Sequence, residues 1–156
     1  MNIYTVSFFG HRQISNPLDV DNSLVEEIRT LIRSKEYVEF LVGRNGDFGI
    51  MAASAVRRTQ KELDYGNSSL VLVLPYMTKE YRKNTAAFEE YYNEIEICQR
   101  SSGSHFKGAF QVRNRLMVDR SDMIICCIEH DSGGAYQTVE YAKRKKKTVK
   151  NLAKTI

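Results

Sequence analysis

Apolar residues recur along this chain in short unbroken runs, separated by longer amphipathic stretches. Ile3 to Phe9 is the first run, closed by Gly10, and it reads as a strand buried on both faces. Asn16-Pro17 and Asp19 mark a turn and a helix start. Leu24, Val25, Ile28, Leu31 and Ile32 then recur at helical spacing, which predicts an amphipathic helix over Asp21 to Lys35. Tyr37 to Val42 reads as a second strand ending at Gly43, with Gly46 and Gly49 close behind. Ile50 to Leu63 favours helix, its alanines at 52, 53 and 55 permitting close packing on a sheet, and Gly66-Asn67 marks its end. Ser69 to Leu74 is a further apolar strand, stopped by Pro75. The polar stretch from Thr78 to Asn93 reads as helical for much of its length, and Glu94 to Cys98 as a short extended piece. Arg100-Ser101-Ser102-Gly103-Ser104 reads as a loop. Phe110 to Arg120 predicts a helix, Met123 to Ile128 a strand, Ala135 to Lys145 a helix, and Thr148 to Leu152 a last short strand. Strands alternating with helices imply a mainly parallel sheet of about five strands, covered on both faces, in one α/β domain spanning residues 1–156.

Composition changes this picture little. A chain of 156 residues, 42% hydrophobic and 27% charged, can bury a sizeable core without disulfides or metals. The net charge of +4 is partly local, in Arg144-Lys145-Lys146-Lys147 followed by Lys150 and Lys154. That cluster reads as a solvated helix end, where cations suit the dipole. Nucleic acid is therefore not expected as a partner. Three cysteines make no disulfide framework, and adjacent Cys126 and Cys127 should point to opposite faces of a strand. His11, His105 and His130 are far apart in sequence without ligand-like neighbours, so neither a metal nor a cofactor is expected. The N-terminus lacks a signal-peptide pattern, and no apolar run reaches membrane-spanning length. The expectation is a cytoplasmic protein with no membrane partner.

The chemistry concentrates at strand ends. In open parallel sheets ligands bind beyond the carboxyl ends of strands, near the point where strand order reverses. Gly10, the Gly43/Gly46/Gly49 group and Gly133-Gly134 all stand at such ends, each before a helix. Glycine admits close backbone approach, and helix N-termini favour anions such as phosphate. His11 and Arg12 follow the first strand and can reach the same crevice, with Arg12 suited to bidentate phosphate or carboxylate binding. Arg113 and Arg115 lie on the helix before Met123, and Ser132 and Thr138 flank the glycine pair with hydroxyls. Glu140 is the carboxylate placed just inside the last helix. Neither the dinucleotide fingerprint nor a Walker-type loop is present, which argues against NAD oxidoreductase and P-loop ATPase readings.

Ser7-Phe8-Phe9-Gly10-His11-Arg12, Val42-Gly43-x-x-Gly46-x-Phe48, Leu74-Pro75-Tyr76, Arg113-Asn114-Arg115-x-Met117 with Ser121-Asp122, and Ser132-Gly133-Gly134-Ala135-Tyr136 together resemble the SLOG superfamily. They look most like its short DUF1273/YpsA-like branch. The resemblance covers nearly the whole chain. It implies a Rossmann-like three-layer α/β/α fold that binds nucleotides or nucleotide-derived ligands, as a sensor in signalling or anti-phage defence, and an oligomer of identical chains. The phosphoribohydrolases of the superfamily cleave the N-glycosidic bond of nucleoside 5′-monophosphates. Arg113, Met117, Asp122 and Gly133-Gly134 match their pattern, and Thr138 matches with one residue inserted. The position of their catalytic glutamate is Tyr141 here, and Glu140 stands one residue earlier, about 100° round a helix.

Two readings follow. In the first, the protein binds a nucleotide-derived small molecule, with phosphate on Gly10, Gly43, Gly46, Ser132, Gly133, Gly134 and Thr138, and with His11, Arg12 and Arg113 as partners. The base or sugar would rest on Phe8, Phe9 or Tyr136. In the alternative, the protein is an N-glycosidase of nucleoside monophosphates, with Arg113 and Glu140 (or Asp47) as catalytic residues.

Overall fold

The computed structural model describes residues 1–103 and 106–153, apart from the side chains at 102, 106 and 107. Ser104, His105 and Lys154 lie outside the described residues. Its strands are β1 (Ile3–Gly10), β2 (Tyr37–Val42), β3 (Ser68–Leu74), β4 (Glu94–Ile97), β5 (Met123–Cys127) and β6 (Thr148–Asn151). Its helices are α1 (Pro17–Ser34), α2 (Asp47–Leu63), α3 (Lys79–Lys83), α4 (Thr85–Tyr91), α5 (Gln99–Ser102), α6 (Phe106–Arg120) and α7 (Gly134–Arg144). The strands form one sheet in the order β4-β3-β2-β1-β5-β6, every pair parallel. This is a three-layer, Rossmann-like α/β/α arrangement.

Alternation along each strand builds two cores. Phe8, Phe40, Leu70, Leu72 and Cys127 face one side with Leu24 and Ile28 of α1 and Phe48, Ala52 and Val56 of α2. Phe9, Leu41, Val71, Val73, Ile124 and Cys126 face the other with Met117 of α6 and Val139 and Ala142 of α7. Burial on both faces is why the strands read as unbroken apolar runs. The two adjacent thiols do point to opposite cores, and burial pushes Cys126 up to about 12 and Cys127 up to about 11, so both stay protonated. All three cysteines are free and buried.

The differences from the sequence reading have local causes. Six strands form, because Glu94–Ile97 pairs with Val71 to Leu74 at the sheet edge. Helix α1 begins at Pro17, which suits the first helical position because it needs no backbone donor there. The Thr78–Asn93 stretch makes two short helices, broken at Asn84. Helix α2 ends on Asp64 in the left-handed conformation (φ 51°), ahead of Gly66. Of the stretch Arg100 to Ser104, read as a loop, Arg100 to Ser102 belong instead to a single helical turn from Gln99, held by the Ser101 hydroxyl donating to the Pro75 carbonyl (2.6 Å); Ser104 lies outside the described residues. Among the described residues no helix is long and apolar enough to cross a membrane.

The chain runs outward from β1 to β4 and then returns to β5 on the other side of β1. Strand order therefore reverses between β1 and β5, where Gly10 lies beside Cys127. A crevice opens beyond the carboxyl ends of strands at such a point.

Candidate functional site

A cleft of about 920 Å³ occupies that position. Its wall contains Gly10, His11, Arg12, Gly43, Gly46, Arg113, Ser132, Gly133 and Gly134, so the three glycine-bearing strand ends converge on one site. Two helices open into it. Gly46 is the N-cap of α2 and Gly133 (φ 96°) the N-cap of α7, and no side chain caps either. The Arg12 carbonyl accepts from the Asp47 N–H (2.9 Å) at the start of α2, and the dipoles of both helices face the cleft without a side-chain cap, an arrangement that attracts anions.

Arg113 closes the floor. It is 1% exposed, yet it has no carboxylate partner among the described residues. Its Nη1 donates to the Val73 carbonyl (2.8 Å), its Nε to Asn114 Oδ1 (2.9 Å) and its Nη2 to Asn45 Oδ1 (3.3 Å). Burial pulls its pKa down to about 10, so the group is charged at neutral pH and poorly solvated. The guanidinium lies directly beneath Gly43, where a Cβ would stand 2.9 Å from Nη1. Asn114 Nδ2 donates to Thr138 Oγ1 (3.1 Å), and Thr138 donates to the Gly134 carbonyl (2.9 Å). Thr138 thus braces the glycine turn from behind and is not itself part of the cleft wall.

Arg12 is exposed at the mouth, and among the described residues its side chain has no hydrogen-bond or ion-pair partner. Beside it the rings of His11 and His130 stack at 3.7 Å and 5°. The His130 backbone N–H donates to His11 Nε2 (3.3 Å), which fixes that nitrogen as an acceptor. His130 Nδ1 is 3.0 Å from Ser132 Oγ. Burial and the neighbouring His130 lower the His11 pKa, with Glu129 acting in the opposite sense. A lowered histidine pKa means that the unfolded chain takes up protons first as pH falls. Stability should therefore drop on acidification through about pH 6.5. Thermal melts of wild type between about pH 8 and 5 should show this slope, and His11→Gln should flatten it; an equal slope in both would exclude His11 as its source.

Glu129 and His130 were not recognised from sequence as site residues. The signal was their position directly after the apolar run of β5. Glu129 lies in the cleft wall, and hydrogen bonds from Ser15 hold its carboxyl below the ordinary range. Glu140 is placed elsewhere: it pairs with Lys143 (3.3 Å) and does not line the cleft. Tyr141, which aligns with the catalytic glutamate of the phosphoribohydrolase pattern, donates instead to Asp119 (2.7 Å). Asp47 and Tyr136 also lie outside the cleft wall, and Phe8 and Phe9 are core residues that only edge it. Asp122 accepts from the Thr5 amide (2.8 Å) and so fastens β1. Arg115 packs over the Tyr141 ring, 5.1 Å from its centre. Among the described residues no group of acidic, histidine or cysteine side chains is disposed to hold a metal.

No protein-family profile matches the chain, and no curated protein is similar to it. Solved structures are. DNA processing protein A from Streptococcus pneumoniae superposes with a TM-score of 0.68 at 15% identity, over 94% of this chain and 49% of that one. The protein of the same name from Helicobacter pylori, described by its single-stranded DNA binding mode, gives 0.64 at 18% identity, over 94% and 63%. The chain thus spans roughly half to under two-thirds of those proteins, and at this identity the likeness is one of fold. It corrects one expectation. Excluding nucleic acid as a partner no longer stands, because a protein with this fold is described by its binding of single-stranded DNA.

Proposed function

We propose that the cleft binds a nucleotide through its phosphate. The phosphate would lie against the N-termini of α2 and α7, with Arg12 closing over it from the mouth. The observation that carries this is Arg113, a buried guanidinium without a carboxylate among the described residues, on the floor of a cleft into which two helices open without side-chain caps. Buried charges are ordinarily paired. An anion in the cleft would supply the missing counter-charge.

A bare inorganic anion would leave most of about 920 Å³ unfilled, whereas that space suits a nucleotide. The exposed ring of His130 offers a flat face for a base, and Glu129 an acceptor for a sugar hydroxyl or base amine. The fold shared with a protein described by its single-stranded DNA binding supports nucleotide chemistry. The motifs and that fold together support placing the chain in the SLOG superfamily, near its DUF1273/YpsA-like branch. Binding without turnover is favoured, because Glu140, the carboxylate needed by the glycosidase alternative, is engaged with Lys143 outside the cleft wall.

Calorimetric titration with thymidine 5′-monophosphate tests the reading. Wild type should bind the monophosphate and ignore thymidine. Arg12→Ala should lose about tenfold or more in affinity, the worth of a charge-assisted hydrogen bond. Equal binding of nucleoside and nucleotide, or of neither, would defeat the phosphate reading.

A further inference from the structure

A second concave surface lies along α2 and α4, on the far side of the turn between β2 and α2. It comprises two adjoining grooves of about 310 and 470 Å³ that share Ala87 and Tyr91. Aromatic rings and cations alternate along it. The Arg44 guanidinium stands 4.9 Å over the Phe88 ring, and that of Arg57 stands 5.9 Å over Tyr91. Tyr91 is 40% exposed, too open for an ordinary core tyrosine. Arg44 is paired with Glu80 and Arg58 with Asp21. Among the described residues Arg57 donates only to Gln60, and neither Arg57 nor Lys61 has a carboxylate partner. Glu90 is the one carboxylate among the described lining residues.

Cations without counter-ions beside an open aromatic ring match the chemistry of a single strand, whose phosphates seek charge and whose bases stack. A second copy of this chain would bring like charges together. Position adds to the match. Gly43, Asn45, Gly46 and Gly49 line the cleft, while Arg44, between the first two, and Ile50, next after the last, line the groove. One turn is the shared wall, so a strand with a nucleotide in the cleft can continue over it onto α2.

We propose that the groove between α2 and α4 binds single-stranded nucleic acid, extending a strand held in the cleft; this rests on the nucleotide reading of that cleft. Fluorescence anisotropy with an oligothymidylate of about 15 nucleotides, set beside calorimetry with thymidine 5′-monophosphate, tests it. Wild type should hold the oligonucleotide more tightly than the monophosphate. Tyr91→Ala should weaken the oligonucleotide about tenfold. Arg57→Ala with Lys61→Ala should reduce the slope of log K against log salt by about 1.4, the loss of two phosphate contacts on a single strand. These surface variants should melt like wild type and bind the monophosphate unchanged. Oligonucleotide binding no tighter than monophosphate binding, or equal in all the groove variants, would overturn the proposal and leave the cleft reading intact. Groove variants that instead dissociate an oligomer in sedimentation would assign the surface to self-association and overturn it too. Failure of wild type to bind the monophosphate would remove the cleft reading, and the proposal with it.

Discussion

Gly10→Ala should destabilise the fold by about 3 kcal/mol, the upper end for an overpacked core. At this chain length that lowers the thermal midpoint by roughly 6–12 °C. The added Cβ would stand 2.4 Å from Phe48 Cγ and 2.5 Å from its Cβ. Phe48 is fully buried and packs near Phe8, with ring centres 6.4 Å apart, so the ring has nowhere to go. Relief requires α2 to lift away from β1, which also displaces the helix N-terminus from the cleft. Phe48→Ala alone should cost about 3–5 kcal/mol by opening a cavity. The pair should cost less than the sum, because the new methyl enters space that the ring vacates. Urea unfolding of the four proteins measures the coupling. Strict additivity, or a neutral Gly10→Ala, would show that no such close approach exists.

Arg113→Met should leave stability nearly unchanged and remove most of the nucleotide affinity. With its pKa at about 10, the buried charge disfavours folding at neutral pH by about 3 kcal/mol relative to a solvated guanidinium. That cost persists below about pH 10 and fades as pH rises towards the ordinary arginine value, since a depressed base is disfavoured only while charged. Methionine removes it but strips Val73 O, Asn45 Oδ1 and Asn114 Oδ1 of their donor, which costs a comparable amount. Binding has no such compensation. Among the described residues three of the five guanidinium N–H groups have acceptors, which leaves two for an anion. Losing them should cost about 10–100-fold in affinity. Thermal shift with and without thymidine 5′-monophosphate separates the two effects. A variant that no longer folds would make Arg113 a structural strut, and one that binds like wild type would exclude it as an anion partner.

Much of the fold was readable because burial on both faces leaves its mark on composition. The strands ending at Gly10, Gly43 and Leu74 are apolar at nearly every position, so their existence did not depend on what packs against them. The edge strand β4 was harder: Glu94 and Glu96 interrupt Ile95 and Ile97, and one side of an edge strand is open. In the cleft, the glycines and Arg12 were readable as residue types at strand ends, and Arg113 as an arginine on the helix before β5. The cleft's own carboxylate, Glu129, was not, since only the fold brings it against Ser15 and the turn after β1.

Sequence alone determined that strands alternate with helices and that three glycine turns and Arg12 follow the carboxyl ends of strands. Those are local facts, set by periodicity and by the backbone freedom of glycine. Only the tertiary structure decided that Arg113 is buried without a counter-ion, that His11 stacks on His130, and that Tyr91 shares a groove with Arg57. Each depends on residues far apart in the chain that the sheet and the helices packed on it bring together. A linear pattern records which side chains are present, whereas burial and pairing are properties of the packed layers.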